Sequence, residues 1–241
     1  MKILLVDLEV APNVSYTWGI WEQDAIEVKQ EWYILSFCAR WLGGKTITRG
    51  LPDYPLFKKD KRSDRELVKE LWELLNEADL VIAHNGDRFD LKKANTKFVE
   101  HGLLPPSGYN TVDTLKIAQK YFAFNSNKLD ELGKHLGVGR KVKHGGFEMW
   151  RGCMEGNVED FKKMKKYNMG DTLLLERVYY KLRPWLEAHP NTSFDGKCPK
   201  CSGILIKRGF GFTRTGKYPR YACKNCHGWS RGENQKLTNI R

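Results

Sequence analysis

The chain has 241 residues, 41% hydrophobic and 12% aromatic with eight Trp, which excludes intrinsic disorder and allows one sizeable core plus a small appendix. No window approaches the roughly 18 apolar residues of a membrane span, and the N-terminus lacks a signal-peptide pattern, so a cytoplasmic protein without membrane contact is expected. The formal net charge of +12 is uneven: residues 191–241 hold 11 Lys and Arg against two acids, a net of +9, which points to a polyanionic partner, nucleic acid first.

In chain order, Lys2–Leu8 is apolar on both faces, as in a central strand covered by helices on either side. Asp7 and Glu9 then follow on one face with period two. Two carboxylates side by side at a buried strand end repel each other and lose hydration, and a hard divalent cation is the natural compensation. Val14–Trp21, Trp32–Trp41 and Thr46–Arg49 read as further strands of an antiparallel meander, in which Trp18, Trp21, Trp32 and Trp41 are expected to pack. Ser63 with Glu66 predicts a capping box for a helix over Asp64–Ala78, whose apolar stripe is Leu67, Leu71, Leu74 and Leu75.

Asp79–His84 predicts a short strand parallel to the first, because a helix separates it from the meander. The Asn85-Gly86 turn follows, then a helix from about Phe89 to His101. Thr111–Thr114 leads into a helix over Leu115–Phe122, with Asp113 as its N-cap. Asn127–Leu136 is a further helix closed by Gly137. A basic, glycine-rich loop over Gly139–Gly146 carries Arg140, Lys141, Lys143 and His144, and is followed by a short helix over Phe147–Met154. A long helix runs from Val158 to about Glu187. Strands first, then strand–helix alternation, then helices, give an α/β fold with a mixed sheet covered by helices.

The long helix carries the sharpest anomaly. Its buried stripe is Phe161, Met164, Asn168, Asp171, Leu175, Val178 and Leu182, so Asp171 stands where the pattern asks for Leu or Val. Tyr167 lies one turn earlier on the same side. Asp90, after the second parallel strand, emerges at the carboxyl end where α/β sheets place their ligand sites.

Taken in order, Asp7-x-Glu9, Asn85-x-x-x-Phe89-Asp90 and Tyr167-x-x-x-Asp171 resemble the motifs of the DEDD-type 3′–5′ exonucleases of the ribonuclease H-like superfamily, tyrosine subgroup. The resemblance spans Lys2 to about Trp185 and departs at Val10, where a small hydroxyl residue is common in the family. It implies a ribonuclease H-like sheet, two Mg²⁺ or Mn²⁺ ions and hydrolysis of phosphodiester bonds at a 3′ end. Asp7, Glu9, Asp90 and Asp171 become the metal ligands and Tyr167 the residue that orients the attacking water. Single-stranded DNA is the favoured substrate. An exoribonuclease, or a non-catalytic nucleic-acid-binding protein on the same fold, is the alternative. The family context is bacterial or bacterial-viral.

His84 and Asn85 are placed to line such a site, and Arg140, Lys141 and Lys143 to touch a phosphate backbone. The chain divides into residues 1–190, the nuclease domain, and residues 191–241, a second module. There Cys198-x-x-Cys201 and Cys223-x-x-Cys226 recur at zinc-ribbon spacing, implying one structural Zn²⁺ between strands over Gly203–Lys207 and Tyr218–Cys223. Lys207, Arg208, Arg214 and Arg220, interleaved with Phe210, Phe212 and Tyr221, suit single-stranded nucleic acid.

Overall fold

The computed structural model describes residues 1–21, 24–142, 145–193, 196–214, 216–233 and 235–236. Strand β1 (Ile3–Val10) is the centre of a five-stranded sheet. It pairs antiparallel with β4 (Ile34–Trp41), which pairs antiparallel with β5 (Thr46–Gly50). Between them in the chain, β2 (Val14–Tyr16) and β3 (Glu27–Gln30) form a separate two-stranded hairpin. The expected meander is therefore β1–β4–β5 with a hairpin inserted. Trp32 and Trp41 pack against the core as expected, but Trp18 and Trp21 are 90% and 78% exposed. Strand propensity could not tell a core strand from a projecting one, because both favour aromatic residues.

Helix α1 (Arg65–Glu77) leads to β6 (Leu80–Ala83), which runs parallel to β1. Leu67, Leu71, Leu74 and Leu75 are buried, each worth roughly 1.5–3 kcal/mol. The capping box is absent. Asp64 is the N-cap residue and its buried carboxylate accepts from Ile34 N (2.9 Å) and bonds His101 Nε2 (2.6 Å). Glu66 instead accepts from Leu56 N at 2.8 Å. Tertiary partners thus displace the local cap. Helix α2 (Asp90–Glu100) is followed by β7 (Asn110–Asp113), parallel to β6. This strand stands where only the entry to a helix is expected, because its four residues run directly into the periodicity of α3 (Thr114–Tyr121). Asp113 caps α3 by accepting from Leu115 N.

Helices α4 (Leu129–His135), α5 (Phe147–Met154) and α6 (Val158–Leu182) complete the helical cover. Leu4, Val6 and Leu8 of β1 pack with α1, α2 and α5, while Leu5 packs on the other face with α3, α4 and α6. The mixed α/β sheet with helices on both faces is the expected architecture, and none of the described helices is long and apolar enough to cross a membrane.

Beyond α6, β8 (Leu205–Thr213), β9 (Gly216–Cys223), β10 (Trp229–Arg231) and β11 (Gln235–Lys236) form a second, antiparallel sheet centred on β9. Its two long strands outrun the expected ranges. Lys200, between the first two cysteines, is buried and donates to Pro184 O (2.7 Å) just past the end of α6. Helix carbonyl ends favour such a cation.

Candidate metal and nucleic-acid site

The parallel pairing of β1 with β6 stops at Leu5↔Ile82, so among the described residues no strand pairs the carboxyl half of β1 on that side. Asp90 fills the gap: its Oδ1 accepts from Leu8 N at 2.9 Å. The Asn85-Gly86 turn makes this reach available. Asn85 is left-handed (φ 65°), and a Cβ on Gly86 would lie 2.2 Å from Ala83 Cβ. A register shift between Glu9 and Val10 bends β1 just where the carboxylates end, a usual function of bulges beside sites.

Asp7 and Glu9 project from the Leu5 face of β1 toward α6. One carboxylate oxygen from each, with one from Asp171, lies within 4.8 Å of the others. Asp90 is outside this trio, although its charge is the second cause of the shift at Asp7. Burial first, then Asp90, Glu9 and Asp171, hold the Asp7 carboxyl well above the usual range. Burial and Asp171 push Glu9 up to about 8. Burial brings Asp90 to about 7 against the bond from Leu8 N. Three acids gathered this closely are a strained arrangement that a hard cation with oxygen ligands relieves, so the residues fit a divalent ion.

Two further side chains complete the cluster. Asn168, fully buried one residue after Tyr167, donates from Nδ2 to Asp7 O (3.3 Å) and Asp7 Oδ2 (3.2 Å). In the sequence it stands only as a member of the buried stripe. A second polar residue beside Asp171 was the signal that could have marked it. Lys141, expected to meet a phosphate backbone, contacts Asp171 Oδ2 (2.5 Å) and donates to Tyr167 Oη (3.2 Å). Burial would lower its ammonium, but Asp171 and Tyr167 outweigh that and hold it above the ordinary lysine range.

The loop reaches this far because α6 is bare at Gly170, where a Cβ would lie 2.6 Å from Val142 Cγ2. Asp130 anchors the same loop, accepting from Lys141 N (2.7 Å) and Arg140 Nη2 (2.6 Å). Lys143 and His144 fall outside the described residues.

Tyr167 packs edge-on to Trp150 at 6.0 Å, and burial raises its phenol above the usual value. On the far side of Lys141, a cleft of about 620 Å³ is lined by His84, Asn85, Gln119, Asn127 and Lys128. His84 Nδ1 lies 2.9 Å from Thr114 Oγ1, and burial lowers its imidazole to about 4, so the ring faces the cleft neutral.

The four cysteines also converge. Their sulfurs lie within 4.8 Å of one another, Cys198–Cys226 at 3.8 Å and Cys201–Cys223 at 3.6 Å, with no disulfide. A tetrahedral ion with bonds of about 2.3 Å needs sulfurs about 3.8 Å apart, so the cluster fits one. Asn225 N (3.3 Å) and Cys226 N (3.5 Å) donate to Cys223 Sγ, and against burial these amides bring its thiol down to about 7.

On the module's surface, Lys207 and Lys217 lie over Phe210 (4.7 and 4.0 Å) and Arg220 over Trp229 (4.6 Å). Arg208 and Arg214 are exposed.

The sequence matches the family model of the RNase H superfamily over residues 22–183. The chain belongs to this superfamily. No curated protein matches it. Among solved structures, the family B DNA polymerase from the hyperthermophilic archaeon Pyrobaculum calidifontis is similar in fold, with a TM-score of 0.51 and 12% identity. The match covers 76% of this chain and 25% of the polymerase, so the chain spans about a quarter of that protein's length. Superfamily membership supports nuclease chemistry and a nucleic-acid substrate.

Proposed function

We propose that this protein is a DEDD-type 3′–5′ exonuclease of the tyrosine subgroup, using two Mg²⁺ or Mn²⁺ ions, with single-stranded DNA as its favoured substrate. The observation that carries the reading is the meeting of Asp7, Glu9 and Asp171 within 4.8 Å beside Tyr167, in a chain of the RNase H superfamily. The 3′–5′ direction rests on the ordered resemblance of the three motifs.

Asp7, Glu9 and Asp171 would hold one ion, and Asp90 with Asp7 the other. When bound, such ions lower the pKa of a water nucleophile and neutralise charge on the phosphate. Tyr167 keeps its proton at working pH because burial raises its pKa, so it orients the attacking water by hydrogen bond and does not deprotonate it. Lys141 fixes Tyr167 Oη and supplies a positive charge beside the scissile phosphate. Asn168 fixes the Asp7 carboxylate. Asn85, neutral His84 and Lys128 line the cleft that would receive the strand's end.

Residues 1–190 form the nuclease domain in this reading. Residues 191–241 form a zinc ribbon whose four cysteines hold one Zn²⁺ and whose basic, aromatic surface binds nucleic acid, with Lys207, Arg208, Arg214 and Arg220 on the phosphates.

End-labelled single- and double-stranded DNA and RNA, incubated with Mg²⁺, Mn²⁺ or chelator, test the reading. Metal-dependent shortening from the 3′ end, fastest on single-stranded DNA and abolished by Asp7→Ala, is expected. Undiminished cleavage by the variant, or none by the parent on any substrate, overturns it. Faster loss of RNA reassigns the substrate.

A further inference from the structure

The β2–β3 hairpin stands apart from the main sheet, and the carboxylate chemistry does not use it. Its apolar residues face water: Tyr16 is 53%, Trp18 90%, Ile20 86% and Ile26 51% exposed, with Trp21 close behind. A lone two-stranded ribbon is marginally stable, and large apolar side chains left exposed together in one short segment point to a binding surface.

Its root is tied to the elements that carry the acids. β1, bearing Asp7 and Glu9, runs through Ala11–Asn13 straight into β2. Ala11 N donates to Tyr33 O (2.9 Å) and Trp32 N to Asn13 Oδ1 (2.8 Å). The Trp32 ring lies under the ammonium groups of Lys93 (3.6 Å) and Lys97 (4.5 Å) from α2, the helix that starts at Asp90. The hairpin therefore rises from the rim of the carboxylate site on a fixed base.

Charge decides which part of a strand it meets. In a chain of net charge +12, residues 14–31 carry Glu22, Asp24, Glu27 and Glu31 against Lys29 alone, and Lys29 lies over Tyr16 at 5.8 Å. The cations at the site, Lys141 on Asp171 and Lys128 in the adjoining cleft, come from other elements. Phosphates are drawn to those cations and repelled by the hairpin, which leaves the aromatic arm for uncharged, flat groups. Unpaired bases are the part of a single strand that fits, since every base has a face to stack on an aromatic ring.

We infer that the 14–30 hairpin is a base-stacking arm, with Trp18 and Trp21 stacking on unpaired bases of the strand whose 3′ end lies at Asp7, Glu9 and Asp171. The inference rests on the nuclease reading. It makes the arm indifferent to base identity and selective for unpaired strands, because a duplex hides its base faces.

The test is anisotropy of labelled oligothymidylate and of an abasic sugar–phosphate strand of equal length, with Ca²⁺ as the divalent ion. Parent, Trp18→Ala/Trp21→Ala and Trp18→Phe/Trp21→Phe proteins are compared. The parent should prefer the strand with bases. The Ala variant should bind it about 10- to 100-fold more weakly, the range for losing one or two base–aromatic stacks, with abasic binding unchanged and the Phe variant close to the parent. Equal losses on both strands, or no loss on either, overturn the inference. So does a parent dimer in sedimentation that the Ala variant dissociates, which makes a second copy the occupant. Hydrolysis of thymidine 5′-p-nitrophenyl phosphate and of oligothymidylate with Mn²⁺ separates the two readings. If the parent cleaves neither, the nuclease reading fails; if it cleaves them and the Ala variant binds bases normally, the arm alone fails.

Discussion

The carboxylates and the cysteines are two ligand-rich clusters held together by different means. Asp7, Glu9 and Asp171 are brought together by β1 and α6, whose packing is fixed by Leu5, Leu174, Leu175 and Val178 whether or not an ion is bound. The core forces like charges together, and Lys141 offsets part of the repulsion. Cys198, Cys201, Cys223 and Cys226 sit in a module of about fifty residues, too small to bury a self-sufficient core. An ion there would hold the structure, whereas an ion at the carboxylates would be held by it. The first arrangement stores electrostatic strain for use; the second relieves a shortage of apolar surface.

The largest test of that contrast is substitution at the acids. Asp7→Asn or Asp171→Asn should reduce cleavage about 1000-fold or more, as expected for losing several kcal/mol of charge stabilisation. The same Asp7→Asn change should leave the metal-free protein as stable as the parent or about 1 kcal/mol more stable, by chemical denaturation, since it removes a buried acid that the fold keeps from ionising. A loss of both stability and activity would break the comparison.

At the other cluster, Cys198→Ser should do the reverse. Bound zinc, measured by atomic absorption, falls from one equivalent to none, and amide exchange protection in β8 and β9 collapses. Hydrolysis of a mononucleotide ester at the carboxylates continues within a few-fold of the parent.

Lys141→Met sharpens the first half. Without its ammonium, the metal-free protein should lose about 1–2 kcal/mol, discounted from a fully buried pair because Lys141 is a third exposed. Mn²⁺ should restore most of that loss. Full loss persisting with Mn²⁺ would mean the lysine is structural.

The last test is a pH slope. Glu9 near 8 and Asp90 near 7 keep protons in the folded state that the unfolded chain releases near 4. Between pH 6.5 and 8 the native state thus binds more protons, and stability should fall as pH rises, by up to about 1.4 kcal/mol per unit for each group. The opposite contribution of buried His84, whose pKa falls to about 4, acts only below its ordinary value near 6.5. Parent minus Glu9→Gln, followed by thermal melts in chelator, isolates the slope. Its absence would mean that the acids ionise without an ion.

Features written in local spacing were legible from the chain. Cys-x-x-Cys, the period-two acids of β1 and the misplaced Asp171 each signal within a turn or a strand. The pairing of Lys141 with Asp171 was not legible, because it depends on how the loop lies across α6. The hairpin was also hidden: Val14–Tyr16 has strand residues, but nothing local says whether a strand joins the main sheet. Strand β7 was lost to the helical period that follows it. Asp64 shows the same limit, since its tertiary partners Ile34 and His101 overrode a sound local cap.

Gly170 has a consequence out of proportion to its size. It lies between Tyr167 and Asp171 on α6, and the loop bearing Lys141 closes over it through Val142. A hydrogen atom where other residues carry a methyl therefore sets how near a positive charge can come to the acids. The charge balance of the site is tuned by a gap, and the smallest side chain in the helix holds that gap open.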